Sequence, residues 1–119
     1  MFNFTHQKMY FANELVDMRK SFDTLADYVQ FQLEHDPQSG DAFIFIGKRR
    51  NRMKILIWED SGFWICNKRL EQGTFSKQII NLQSGKSTSI SPAQLHNLLE
   101  GIIVFSSRKL KRYRRKKTA

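Results

Sequence analysis

The sequence predicts an α+β fold: an antiparallel sheet of three to five strands packed with two helices in a single domain, followed by a basic C-terminal tail. Three observations predict it. Apolar residues recur at helical spacing through residues 18–33, and three apolar, β-prone segments separated by short polar turns fill residues 42–68. A Ser-Pro-Ala-Gln start at residues 91–94 then opens a second helical stretch. A chain of 119 residues supports one core, so the predicted division is a compact domain over residues 1–106 and a basic, disordered tail over residues 107–119.

In chain order, residues 8–12 read as a short strand, and Asp17 is placed to cap a helix by accepting a backbone N–H of the first turn. Met18, Phe22, Leu25, Ala26, Val29 and Leu33 form one apolar stripe with a period near 3.6, which predicts an amphipathic helix to about Glu34. It ends at His35-Asp36-Pro37, because the residue before proline resists helical geometry. Residues 42–46, 53–58 and 62–68 read as an antiparallel meander. Its first turn carries Gly47 and a basic cluster, and its second is Glu59-Asp60-Ser61-Gly62. Consecutive apolar residues in the first of these strands predict cover on both faces, one of them by the helix. A weaker strand is expected at residues 78–82 and a turn at Gly85. Ser91 caps the second helix, with Pro92 at its first position, Gln94 closing a capping box, and Leu95, Leu98, Leu99 and Ile102 continuing the stripe. Residues 102–105 read equally well as a closing strand or as a helix extension.

The charge is concentrated. Of the formal +9, eight positive charges lie in residues 108–117 and five in residues 48–54, so the remainder of the chain is net negative. Clustered cations favour a polyanionic partner, because they neutralise adjacent phosphates and release condensed counterions. The candidate nucleic-acid-binding residues are therefore Lys48, Arg49, Arg50, Arg52 and Lys54 at the first hairpin, with Arg108, Lys109, Lys111, Arg112, Arg114 and Arg115 of the tail. Arginine's planar fork suits bidentate phosphate or base contacts.

Other chemistries find little support. The single Cys66 excludes an internal disulfide and a Cys-based zinc site, fits a reducing cytoplasm and reads as a buried thiol. His6, His35 and His96 lack metal-ligand spacing, so no metal and no cofactor is expected. Neither a membrane span nor a secretory signal is present, which predicts a cytoplasmic protein with no membrane partner. Gly85-Lys86-Ser87-Thr88 resembles the end of a phosphate-binding loop, but Ile80 stands where that loop needs glycine, so the segment reads as a turn. Asp23 and Asp27 read as helix-surface ion-pair partners, Glu59 and Asp60 as turn residues, and no acids mark a catalytic set. The chain is expected not to be an enzyme and to take no small-molecule substrate. Phe43, Phe45, Trp58, Phe63 and Trp64 read as packing residues, with one tryptophan partly exposed, rather than as a base-stacking platform.

Four stretches, in order, resemble a known family: Asp17-Met18-Arg19-Lys20-Ser21-Phe22-Asp23, Asp36-Pro37-Gln38-Ser39-Gly40 ahead of a Phe-rich strand, Lys54-Ile55-Leu56-Ile57-Trp58, and Lys68-Arg69-Leu70-Glu71-Gln72-Gly73-Thr74-Phe75. Together with Leu95-His96-Asn97-Leu98-Leu99-Glu100-Gly101, they are similar to the TnpB accessory proteins of IS66-type bacterial insertion sequences. The chain departs from that pattern in lacking a Trp-Pro beyond Phe75 and in the Glu59 to Gly62 turn. The resemblance implies a small protein encoded beside a separate transposase, needed for efficient transposition and without known catalytic activity. Its motif residues here are Asp17, Met18, Arg19, Lys20, Phe22, Asp23, Lys68, Arg69, Leu70 and Glu71. The resulting expectation is a non-catalytic accessory factor. Arg49, Arg50 and Arg52, aided by the tail, hold DNA at the transposon ends, while the body contacts the transposase or another accessory subunit. The alternatives are a protein-interaction adaptor without nucleic-acid contact and a small RNA-binding protein.

Overall fold

The computed structural model describes residues 7–75, 85–99, 102–103 and 108–109. Strand β1 (Met9–Ala12) leads to helix α1 (Phe22–Asp27), which continues as a π-helical turn (Tyr28–Gln32). Strands β2 (Ala42–Ile46), β3 (Arg52–Glu59) and β4 (Gly62–Arg69) follow, then β5 (Ser87–Ile90) and helix α2 (Pro92–Leu99). Two-residue strands β6 (Ile102–Ile103) and β7 (Arg108–Lys109) pair antiparallel with each other. The main sheet has the order β4-β3-β2-β1-β5. The predicted α+β domain with a sheet and two helices is what forms. Its pairings are antiparallel except that of β1 with β2, which is parallel because α1 carries the chain back across the sheet between them.

The Ala-Phe-Ile-Phe-Ile run of β2 explains the layering, since all five residues are buried and side chains alternate between faces. Phe43 and Phe45, with Leu56 of β3, face Leu25, Val29 and Leu33 from α1 and its π-helical extension. Ala42, Ile44 and Ile46, with Met9 and Phe11 of β1 and Met53, Ile55 and Ile57 of β3, face the opposite way and are covered by Phe75 and by Leu95 of α2. Cover on both faces is thus as the sequence predicts.

Helix α1 starts later than the stripe implies. Ser21, not Asp17, precedes its first residue, and the Ser21 N–H donates to Thr24 Oγ1 at 2.8 Å. Asp17 instead opens a separate turn, its carboxylate accepting the Arg19 N–H at 2.8 Å and its carbonyl the Lys20 N–H at 3.1 Å. Met18 therefore lies outside the helix, and Phe22 is 47% exposed. The helix widens by one residue at Leu33, whose N–H donates to Tyr28 O at 3.0 Å, and ends with Glu34 at φ +60°. Helix α2 starts as expected: the Ser91 N–H donates to Gln94 Oε1 at 2.8 Å, and the Gln94 N–H donates to Ser91 Oγ at 3.1 Å.

Strand β5 begins within the stretch Gly85 to Thr88 that is expected to be a turn. Ser87 and Thr88 lie in β5 and pair with Ala12 and Phe11. Buried Asn13 holds this strand to β1. Its backbone N–H donates to Lys86 O and its side-chain amide to Gly85 O, each at 3.0 Å, while the Thr88 hydroxyl donates to its Oδ1 at 2.6 Å. The expected strand at 78–82 lies outside the described residues, and residues 102–103 form a strand, not a helix extension. Of the predicted tail only Arg108 and Lys109 are described.

The β3–β4 hairpin closes on two residues, Asp60 at φ +47° and Ser61 at φ +69°. Both occupy the left-handed region that such two-residue turns demand and that favours glycine at the second position. Ser61→Gly is expected to raise stability by about 0.5–1 kcal/mol, since relief of left-handed strain is partly offset by the greater freedom of the unfolded chain. Thermal melting would show this as a rise of a few degrees.

Candidate nucleic-acid interface

One end of the sheet gathers three segments that lie far apart in the sequence. The parallel alignment of β1 and β2 extends beyond the strands to a bridge between Val16 and Gly47, where the Val16 N–H donates to Ile46 O at 2.9 Å. This places residues 16–19 beside the tip of the β2–β3 hairpin. Met18 lies so close to Gly47 that a Cβ there would meet its Cγ at 2.4 Å, so the glycine is required by the approach. Residues 16–19 and the tip enclose an open cleft of about 530 Å³, lined by Asp17, Arg19, Lys48, Arg49 and Arg52 among others. A second cleft of about 530 Å³ shares Met18 and Arg52 with the first and adds Lys54, Asn67, Lys68, Arg69 and Glu71. Seven cationic side chains thus line the two clefts against two carboxylates.

The carboxylates are committed to arginines. Asp17 accepts from Arg19 Nε and Nη2, the latter at 2.6 Å, and from the Arg19 backbone N–H at 2.8 Å. These bonds, led by the guanidinium and helped by Lys48 nearby, hold the Asp17 carboxyl well below the usual carboxylate range. Glu71 Oε1 accepts from Arg69 Nε at 3.1 Å and from Nη2 at 2.7 Å. Each acid therefore fixes the orientation of a guanidinium while leaving other N–H donors of that group outside the pair.

The tip itself is strapped down. Arg50 adopts φ +59°, its N–H donates to Gly47 O at 2.8 Å, and its carbonyl accepts the N–H of Phe75 at 2.7 Å. The next carbonyl, that of Asn51, accepts the N–H of Leu70 at 2.7 Å. Residues 70–75 thus cross under the tip, with Phe75 buried in the core and Leu70 packed against it.

Of the predicted nucleic-acid residues, Lys48, Arg49 and Arg52 are exposed in the clefts, and Arg50 is half-buried at the strapped turn. Lys54 does different work: its ammonium donates to Lys20 O at 2.6 Å, tying the segment before α1 to β3. Arg108 and Lys109 lie in β7, while Lys111, Arg112, Arg114 and Arg115 fall outside the described residues. Arg19, Lys68 and Arg69 entered the sequence reading only as family-motif residues, and the structure adds them to the basic surface. Nothing local marks them, because their proximity depends on the β1–β2 and β3–β4 registers. Asp23 occupies the first turn of α1.

The aromatic residues divide between core and surface, with both tryptophans, rather than one, partly exposed. Phe43 and Phe45 are buried, Trp58 packs edge-on against Phe63 at 4.9 Å, and Trp64 is 52% exposed. Cys66 is half-buried rather than buried, and burial pushes its thiol pKa up. Among the described residues no group of three His, Cys, Asp or Glu side chains is arranged to hold a metal, and no helix is long and apolar enough to cross a membrane.

The sequence model of the family described as IS66 Orf2-like protein matches residues 7–109. Two uncharacterized proteins of Sinorhizobium fredii (strain NBRC 101917 / NGR234) are similar. Protein y4hO is 38% identical over 96 residues, covering 80% of either chain, and y4jC is 38% identical over 64 residues, covering 54% of this chain and 55% of its own. No solved structure matches.

Two outcomes test this geometry. Gly47→Ala should destabilise the domain by about 1–3 kcal/mol through overpacking against Met18, and adding Met18→Ala should recover part of that loss in denaturant titrations. Because the Asp17 pKa is depressed on folding, its contribution to stability is present above the unfolded value of about 3.9 and is lost only as pH falls through the lower folded value. The Asp17 carboxyl carbon, followed by NMR, should accordingly show no titration step between about pH 3.5 and pH 6.

Proposed function

The chain belongs to the IS66 Orf2-like family of insertion-sequence proteins, and from that premise we propose that it is a non-catalytic accessory factor that holds the element's DNA during transposition. One observation carries this reading: the basic hairpin tip is a braced surface, joined by Arg19 on one side and by Lys68 and Arg69 on the other. A braced backbone at the turn lets its cations ride on phosphates or enter a groove with only their side chains left to order on binding. Lys48, Arg49 and Arg52 make the positioned contact, Arg50 holds the turn, and the basic residues from Arg108 onward add affinity that does not depend on sequence. The DNA partner is the transposon end. Phe22 and Phe31, 47% and 66% exposed on α1 and its π-helical extension, supply apolar surface for the transposase or another accessory subunit. The work is cytoplasmic, since that is where a bacterial element and its transposase meet.

Band-shift titrations of the full chain on transposon-end duplex test this. Affinity should fall with salt at a log–log slope of about −0.9 for each phosphate engaged, and Lys48→Ala with Arg49→Ala should flatten that slope by about 1.8 if each contacts one phosphate. Truncation after residue 107 should weaken binding to end and unrelated duplexes equally. A salt-independent response would contradict the reading. Retention of the transposase from nuclease-treated lysate by a variant that no longer binds duplex would instead favour an adaptor, and preferential competition by single-stranded RNA would favour an RNA partner.

A further inference from the structure

Strands β3 and β4 place two arginines directly opposite each other. In their register Arg52 faces Arg69, and one pair further along the same face Lys54 lies opposite Asn67. Directly opposed residues project from the same face with Cβ atoms about 5 Å apart, and like charges in that relation repel. Neither of the ordinary remedies is complete here. Arg69 has Glu71, but the Arg52 side chain has no hydrogen bond or ion pair among the described residues, and the Lys54 ammonium adds a further charge on that face while bonded to Lys20 O. An anion seated between the two guanidiniums would turn that repulsion into a two-armed contact.

Resting on the DNA-holding reading above, we propose that Arg52 and Arg69 clamp a single phosphodiester of the bound DNA strand, extending the contact surface from the hairpin tip onto the sheet. The geometry suits a clamp. Glu71 uses one oxygen to hold Arg69 Nε and Nη2, so the guanidinium is oriented before the phosphate arrives and retains donors on Nη1 for it. Arg52 lines both clefts, so the strand that meets Lys48 and Arg49 in the first continues past Arg52 into the second. Glu71 also limits the net charge of the second cleft, which keeps the clamp selective for an anion that fits both arms over diffuse attraction.

The test uses the full chain, transposon-end duplex and the variants Arg52→Gln, Arg69→Gln and their combination. The double variant should flatten the log–log salt slope by about 0.9, the signature of one lost phosphate, and weaken binding about tenfold at 0.1 M salt. A change of about 1.8 would mean two separate phosphate contacts and would overturn the clamp, as would an unchanged slope. Without DNA, the double variant should melt at the wild-type temperature or above it, because the repulsion is gone. A lower melting temperature would show that the pair is structural and overturn the proposal. The failures are separable. If Lys48→Ala with Arg49→Ala loses duplex while the arginine double variant keeps it, the clamp fails and the DNA-holding reading stands; if the wild-type chain ignores duplex, both fail.

Discussion

Everything in this domain is arranged around the double-sided burial of β2. Five consecutive apolar residues, with two phenylalanines on one face and alanine and two isoleucines on the other, are tolerable in water only if both faces are covered. Covering the first face fixes α1 across the sheet, and a helix that must cross there makes the β1–β2 pairing parallel. Covering the second recruits Leu95 of α2 and Phe75 from the segment after β4. The latter has a further effect: an anchored Phe75 draws residues 70–75 under the β2–β3 tip, where their N–H groups satisfy the carbonyls of Arg50 and Asn51. The basic tip is stiff because the core needed covering.

The legible part of the sequence was the part set by local pattern. The strands of the meander, the β1 segment and the Ser91 start of α2 appear almost where alternation and capping chemistry place them. Where the fold departs from local pattern, a tertiary or side-chain competitor changes the use of a residue. Asp17 has the composition of a helix cap but heads a separate turn that takes the N–H groups of Arg19 and Lys20, and the helix starts after Ser21. Strand β5 is short and polar, and its stabilisation comes from buried Asn13, some seventy residues upstream, rather than from its own apolar content. The candidate site divides in the same way. The charge of residues 48–54 is visible in the sequence, whereas the addition of Arg19 and Arg69 requires two strand registers.

Clustered charge alone does not distinguish a site from a solvated surface, because exposed cations repel one another and scatter. Here the scatter is restrained at several points. Arg19 is fixed by Asp17, Arg69 by Glu71, and the Lys54 ammonium by a backbone carbonyl, while the tip backbone is held by its strap. Each restraint removes freedom before a partner arrives, so less of the interaction energy goes into ordering. Acids within a basic surface are consistent with this: they lower the total attraction but define where the remaining donors point.

That contrast separates the two basic regions of the chain. A run of cations such as residues 108–117 raises the local potential and speeds encounter with any polyanion, an effect that salt screens. The tip, by comparison, presents its charges at positions set by β-sheet register, by the fit of Met18 against Gly47 and by the hydrogen bonds of residues 70–75. Discrimination between one nucleic-acid geometry and another needs donors at fixed separations, since only then does a mismatch leave a donor unpaired. At the braced end of the sheet the backbone meets that requirement, and only side chains remain to be ordered.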